Sequence, residues 1–545
     1  MALRRSIGWI VSAVAVSITS LVIAPLSSLS PVHATSCPAA AEWDLLTLVN
    51  QFRAVNGKPA LILSAELMLK AQAWSDQLAA ENFLHHSNLA DGVSGGWTGI
   101  AENVAYNYSI GANQTALQNS PGHRTNLLGD YGELGLGVSC GVSGRIFVSQ
   151  VFVKRPTPTP SYQVDASASA FTPITPARFL DTRVGARPAA GSMLTVPLLG
   201  RAGIPGSGVT AAVVAVSAVD GAGVGWLQVG PTGATTFGTS SNLNFSSTTP
   251  TASVTTIARL GVNGSIDIFI SAGAHVIVDV VGYFANAPGG SAAGRTIAIN
   301  PVRALDTRPG YAPAYAGPRP TAGSTITVGV SGVGEVPPTG VSAVVANITT
   351  VGGDTPGYVV AAPGDGSSAG VELARTSRAG QVSANLVIIP LDASGRLSLT
   401  PAMGTDLLVD VFAWITDGTQ AVSNVGLFVP TPTIRFLDTR SALGIGTRKP
   451  VAGYINVDVS ARNFYPTCSR AVFGNVTAVT AALPIWMQAG PSNRFGIGAF
   501  SNVNADQAGA IVANSAIIPA GDNCDIGIFS SAPTHEILDL AGYFI

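Results

Sequence analysis

Apolar residues along this chain follow two different periods, and the change between them falls near residue 155. Before it the spacing is helical. Trp43, Leu46, Val49 and Phe52 recur on one face, and Leu67, Ala71, Trp74 and Leu78 follow at offsets of four, three and four. Gly57-Lys58-Pro59 closes the first helix, and Ser64 is placed to cap the second. Ser120-Pro121 predicts a third, shorter helix over residues 122–128, with Ser as cap and Pro in the first turn. Two strands over 134–140 and 145–153 complete a compact domain of mixed α and β structure, assigned to residues 35–155.

Residues 156–171 open with alternating Pro and Thr, a stiff and extended linker. Beyond it the helical period disappears and a long repeat emerges. Its start is marked by Arg178-Phe-Leu-Asp-Thr-Arg183, Arg303-Ala-Leu-Asp-Thr-Arg308 and Arg435-Phe-Leu-Asp-Thr-Arg440. Its end is an apolar strand with a fixed tail, as in Val278-Asp-Val-Val-Gly-Tyr-Phe284, Val409-Asp-Val-Phe-Ala-Trp414 and Leu538-Asp-Leu-Ala-Gly-Tyr-Phe544. Between these marks lie short Val-, Ile- and Thr-rich runs broken by Gly, Pro and Asn, the spacing of a β-sandwich or barrel. The Asp positions 181, 306 and 438 are 125 and 132 residues apart, too long for a solenoid unit. The pattern therefore predicts three whole β-domains strung as separate beads, over residues 172–284, 296–415 and 426–545, with linkers at 285–295 and 416–425.

Composition narrows the classes. Charged residues make up 11% of the 545-residue chain and the formal net charge is −2, so no long-range field exists for nucleic acid. With 47% hydrophobic residues the chain is not a disordered one. Arg4 and Arg5, the apolar stretch from Ile7 to Leu26, and Val32-His33-Ala34 read as a secretory signal over residues 1–34. The uncleaved-anchor alternative rests on the same stretch; after cleavage no transmembrane segment is expected. A secreted, extracellular or surface-associated protein follows. Its four cysteines show no CxxC pair, and locality favours disulfides Cys37–Cys140 and Cys468–Cys524 among three connectivities.

Candidate chemistry concentrates before residue 155. His85, His86 and His123 lie there with Glu102, whereas His275 and His535 sit before the closing strands of repeats one and three with no evident partner. Asn50-Gln-Phe-Arg53, His86-Ser87, Glu102-Asn-Val-Ala105, Ser120-Pro-Gly-His-Arg124 and Leu136-Gly-Val138 resemble the CAP superfamily of cysteine-rich secretory, antigen 5 and pathogenesis-related proteins, in its bacterial SCP-like branch. The resemblance implies an α-β-α sandwich with a cleft in which two His and two Glu can hold a divalent metal. His86 and His123 take the imidazole positions and Glu102 the first carboxylate, as ligand or as a support behind the ligands. No Asp or Glu occurs from 103 to 122 for the second; Gln118 and Asn119 stand nearest. Zn²⁺ is the cofactor implied.

The fold class is thus multidomain, a CAP-like α-β-α sandwich followed by three all-β sandwich-like repeats. The function that follows is a secreted binding or interaction protein, non-enzymatic, with its cleft displayed on adhesion-like β-domains. The alternative is a secreted hydrolase acting on peptide or cell-wall material, either metal-dependent or with Ser87 or Ser120 as nucleophile. Phe83, Trp97, Tyr106 and Tyr108 are read as core aromatics, or as the lining of a groove for a lipid or sterol. The Leu-Asp-Thr-Arg units resemble tandem β-domains of secreted actinobacterial proteins. Their Asp and Arg, two apart on a strand, are expected to pair, with a sugar or wall-polymer site on the Asp and tail aromatics as the other reading. Asn347 and Asn475, though in glycosylation sequons, are read as strand residues.

Overall fold

The computed structural model describes residues 41–545 apart from 60, 94, 142, 157–160, 163–167, 234–236, 314, 367–369, 445–448, 460–468, 493 and 522–524. The expected signal segment and Cys37, Cys468 and Cys524 lie outside the described residues. Cys140 lies within them and is not a free thiol.

The N-terminal domain runs α1 (Ala41–Val55), β1 (Ile62–Ser64), α2 (Ala65–Glu81), β2 (Gly99–Asn107), α3 (Ile110–Asn119), α4 (Pro121–Leu127), β3 (Glu133–Cys140) and β4 (Ile146–Lys154). A further strand, β5 (Ser161–Tyr162), arises in the expected linker and pairs with β1, giving the sheet order β2-β4-β3-β1-β5. Leu45, Leu46 and Val49 of α1 pack with Leu117 of α3, Leu127 of α4 and one face of the sheet. On the opposite face Leu67 and Ala71 of α2 meet Val151 and Val153. The result is a three-layer α-β-α sandwich. Gly135 and Gly137 permit the closeness of α2 to β3, since a Cβ at either would lie 2.1 or 2.0 Å from the carbonyl oxygens of Leu67 and Ala71. Buried Arg53 ties the layers together, donating to the carbonyls of Pro59, Leu127 and Gly129.

The first repeat holds β6 (Ser169–Asp181), β7 (Met193–Pro197), β8 (Val209–Val219), β9 (Gly225–Pro231), β10 (Leu243–Phe245), β11 (Ala252–Arg259), β12 (Ser265–Ile270) and β13 (His275–Asn286). They form two sheets, β11-β8-β13-β6 and β10-β9-β12-β7. This is the order of an eight-stranded jelly roll. The second repeat copies it with β14 (Ala293–Asp306), β15 (Ile326–Gly329), β16 (Val341–Val351), β17 (Gly357–Pro363), β18 (Val371–Thr376), β19 (Ser383–Pro390), β20 (Arg396–Pro401) and β21 (Asp406–Asp417). Its sheets are β14-β21-β16-β19 and β15-β20-β17-β18. The third has β22 (Phe428–Asp438), β23 (Val451–Asp458), β24 (Ala471–Val479), β25 (Ile485–Pro491), β26 (Val503–Ala505), β27 (Ile511–Pro519) and β28 (Asp525–Phe544), a long strand that serves both sheets.

Separate beads are not what the chain builds. The predicted linkers are partly strand, since β13 runs through Asn286, β14 starts at Ala293 and β21 ends at Asp417. Strand β10 of repeat one lies on β27 of repeat three, β26 of repeat three on β19 of repeat two, and β18 of repeat two on β11 of repeat one. Each jelly roll thus offers the same edge to the next, and three such contacts close a ring. The seams are specific. Asn475 donates to the Ser241 carbonyl at 2.8 Å, Asn347 to the Ser501 carbonyl at 2.5 Å, and Arg375 to Ser217 Oγ at 3.2 Å. One apolar cluster draws on all three repeats, with Phe284, Val345 and Phe428 among its members. Asn347 and Asn475 are buried strand residues, and the register sets Ala215 in their place in repeat one.

The repeated motif explains itself within this frame. Asp181 receives the Arg183 guanidinium at 3.0 and 2.7 Å, as Asp306 receives Arg308 and Asp438 receives Arg440. The preceding Arg178, Arg303 and Arg435 each clamp an Asp of the closing strand, Asp279, Asp410 and Asp539, through two nitrogens. The Thr hydroxyls of 182, 307 and 439 accept from the backbone of Val276, Leu407 and Glu536. Hydrogen bonding to Arg183 holds the Asp181 carboxyl well below its ordinary value. His275 and His535, expected to stand alone, lie against Thr182 and Thr439 at 3.3 and 3.0 Å. The tail aromatics Phe284 and Phe544 are fully buried and offer no sugar a surface.

Candidate functional site

Strand β2 is the outer strand of its sheet, so residues along it are approached from both helical layers. Alternation sends Glu102 and Val104 toward α2, and Ala101, Asn103 and Ala105 toward α3 and α4. The loop after α2 carries His86 and Ser87 to the first side, and α4 carries His123 to the second.

Glu102 is nearly sealed, its side chain 1% exposed. One oxygen accepts from the Ser87 amide and from His86 Nδ1, both at 2.9 Å, and the other accepts from Ser87 Oγ at 2.6 Å. A carboxylate only accepts hydrogen bonds, so His86 carries its proton on Nδ1 and keeps the Nε2 lone pair for whatever enters the cleft. The His86 side chain itself is 58% exposed. His123 is half-buried. Burial lowers its pKa, and a positive charge on His86 would lower it further, which favours the neutral imidazole at His123.

Behind the histidines runs a chain of buried amides. Asn103 donates to the His123 carbonyl at 3.2 Å and to Gln150 at 3.1 Å, and accepts from Asn126 at 2.9 Å. Gln150 in turn donates to Gln114 of α3 at 3.0 Å. Of these only Asn103 was prominent in the sequence. Gln114 and Gln150 were missed, and an amide on an otherwise apolar strand or helix face was the signal available.

The other expected residues fall elsewhere. His85 faces away, paired with Glu81 at 2.6 Å and packed on Trp74 and Phe83. Ser120 begins α4. Ser87 gives its hydroxyl to Glu102 rather than to an imidazole, which is not the order of a Ser-His-acid triad. Gln118 and Asn119 end α3. Phe83, Trp97, Tyr106 and Tyr108 are exposed rather than core, with Tyr106 covered on one side by the Arg145 guanidinium. Among the described residues no three His, Cys, Asp or Glu side chains meet in a metal-holding group.

A three-layer sandwich whose sheet edge carries a carboxylate-braced histidine opposite a second histidine is a CAP-type domain. Residues 46–152 match the model of the Cysteine-rich secretory protein family, CAP, and that segment of the chain is a CAP domain. Among solved structures it is similar to an outer surface protein from Borrelia burgdorferi, at 16% identity over 22% of this chain and 98% of that one, with a TM-score of 0.20. It is similar also to an extracellular protein containing a SCP domain from Bacillus anthracis, at 24% identity over 21% of this chain and 41% of that one, TM-score 0.19. A cysteine-rich secretory protein from Staphylococcus aureus aligns at 22% identity over 21% of this chain and 39% of that one, TM-score 0.17. The chain therefore spans about two fifths of the length of these last two. Comparison with curated proteins gives no match.

Proposed function

We propose that the CAP domain is the ligand-binding module of an extracellular protein and performs no hydrolysis. The observation that carries this reading is the engagement of Glu102, which is nearly sealed and whose two oxygens already take three hydrogen bonds. A general base must reach the proton it removes, and no Asp or Glu occurs from 103 to 122 to supply the family's second carboxylate. What the cleft offers outward is His86 Nε2 and the neutral His123, two nitrogen donors suited to Zn²⁺, with Glu102 orienting the first from behind. A bound ion there would polarise or anchor a ligand, and the buried amides would hold His123 in position. Two protein ligands where catalytic zinc sites use three imply weak binding.

Calorimetric titration of the whole secreted chain with Zn²⁺ at about pH 7.5, where imidazole is mostly neutral, tests the site. Binding is expected in the wild type, is expected to be lost in His123→Ala and to be unchanged in His85→Ala. Equal affinity in wild type and His123→Ala overturns the assignment. An extracellular setting also oxidises thiols, so non-reducing peptide mapping is expected to recover Cys37–Cys140 and Cys468–Cys524.

A further inference from the structure

The outer sheets of the first and third jelly rolls carry the same set of side chains at the same register. On β9 and β12, Leu227 and Ile268 point into the core, so alternation turns Trp226 and Phe269 outward. Their rings lie 5.2 Å apart, tilted by 40°. Asn244 stands opposite Trp226, and Gln228 and Met193 flank Phe269. In repeat three Met487 and Ile528 point inward. Trp486 and Phe529 pair at 5.1 Å and 35°. Asn504 stands opposite Trp486, and Gln488 and Tyr454 flank Phe529. The glutamine does the same work in both, accepting from Gly238 or Gly498 to fix the loop beside the rings. All four rings are partly exposed, and at their margins Met193 is 42% and Tyr454 37% exposed.

Repeat two breaks the pattern at every one of these positions. Val360 and Thr400 occupy the register of Gln228 and Phe269, and Thr400 is tied to Thr325 at 2.8 Å. Tyr358, in the place of the tryptophan, lies under the Arg375 guanidinium of the ring seam. A partly exposed Trp–Phe pair adds only about 0.2–1 kcal/mol to its sheet, and of the three repeats the second builds the same strand order without one. Its recurrence in two of them, and its absence from the one whose tyrosine is covered, points to a ligand.

We propose that the outer sheets of repeats one and three are a pair of binding platforms for a neutral polysaccharide. Aromatic faces carry partial negative charge, which the C–H groups on the flat side of a pyranose complement, and the neighbouring amides of Asn244 and Asn504 suit its hydroxyls. Charge argues against an acidic polymer. None of the platform residues is Lys or Arg, and the one acid on the first platform, Asp267, is occupied by Thr195 and Thr232 at 2.7 and 3.0 Å. Two copies on one ring let a long chain engage both, so that weak contacts add.

The test is affinity electrophoresis of the full chain through gels holding a soluble β-glucan, an α-glucan, a mannan or an arabinogalactan, with heparin as the polyanion. Retardation in at least one neutral gel and not in heparin is expected. Trp226→Ala and Trp486→Ala are each expected to weaken it about tenfold, and the double variant to remove it, since paired sites gain by linkage. Trp486→Phe is expected to keep part of the binding, and His123→Ala all of it, which separates this surface from the CAP cleft. If the alanine variants lose their β-type circular dichroism, the marginal pair Met193→Ala and Tyr454→Ala carries the test, with a severalfold loss expected. No retardation in any neutral gel, retardation in heparin alone, or a folded double variant that binds like the wild type overturns the proposal.

Discussion

The CAP domain and the jelly-roll ring use buried polar groups in opposite ways. Around β2 the polar side chains converge on one edge, and part of their capacity is left open: His86 Nε2 faces outward, and among the amides Gln114 Nε2 and Asn113 Oδ1 have no partner. In the repeats the loud Arg-x-x-Asp-Thr-Arg signature closes on itself, each Asp clamped by two arginines and each Thr capping a strand. A motif that stands out in sequence can serve only to join the first and last strands of its own domain. The quieter residues do otherwise: an Asn and a Gln brace the cleft from behind, and a Trp and a Phe on an outer sheet are left partly open to solvent.

Several changes would break that contrast, beginning with the ring. Phe428 is fully buried and touches Phe284 of repeat one at 4.8 Å and Phe544 at 5.0 Å. Phe428→Ala is expected to cost about 3–5 kcal/mol by cavity formation. Because the ring is shared, denaturant unfolding should show the loss in the whole β region; loss confined to repeat three would restore the bead picture. Arg303→Ala is expected to be nearly as severe, about 3–5 kcal/mol, because it takes the cationic partner from the buried carboxylate of Asp410, whereas Asp306 keeps Arg308. The same change at the more exposed Arg178 should cost less.

Glu536 gives the ring a pH dependence of its own. It shares the inner face of β28 with Leu538 and Leu540, in the register filled by Val276 and Leu407 in the sister repeats, and neither of its oxygens has a hydrogen-bond partner. Burial pushes its carboxyl from 4.5 up to about 8. The folded state therefore holds the proton more tightly than the unfolded one. Stability from this group is full below about pH 4.5 and is lost as pH rises to about 8, a fall of about 3–5 kcal/mol. Glu536→Leu is expected to flatten that slope in unfolding curves taken from pH 5 to 9; an unchanged slope would show that the carboxyl ionises freely. The smallest effect belongs to the cleft. Ser87→Ala removes one of the three bonds on Glu102 and is expected to lower Zn²⁺ affinity about tenfold, as loss of an outer-shell partner does. Calorimetry showing no change would mean that His86 is positioned without it.

Much of the CAP domain was legible in the chain. Helices α1, α2 and α4 and strands β3 and β4 fall within a residue or two of where periodicity and turn residues put them: α1 and α2 bury an apolar stripe, while α4, of which only Leu127 is buried, starts at the Pro after Ser120. Helix α3 was not seen. Its buried positions Ile110, Asn113, Gln114 and Leu117 have helical spacing, but two of the four are amides, so the apolar period is halved. The cleft was legible as three residues, His86, Glu102 and His123, while their roles were not, since a Glu that braces and a Glu that binds leave the same letter.

Alternation, turn residues and the spacing of the repeated motif determined by themselves that an α/β domain precedes three β units, because these are local preferences of the backbone and of burial. The pairing of strands into jelly rolls, the closing of three of them into a ring and the partners of His275 and His535 were decided only in the folded chain. The seams of that ring are made by Asn, Ser, Arg and apolar residues, types that also occur on strands away from any seam. A residue's neighbours across a seam 100 or more positions away depend on register and packing, for which composition carries no local trace.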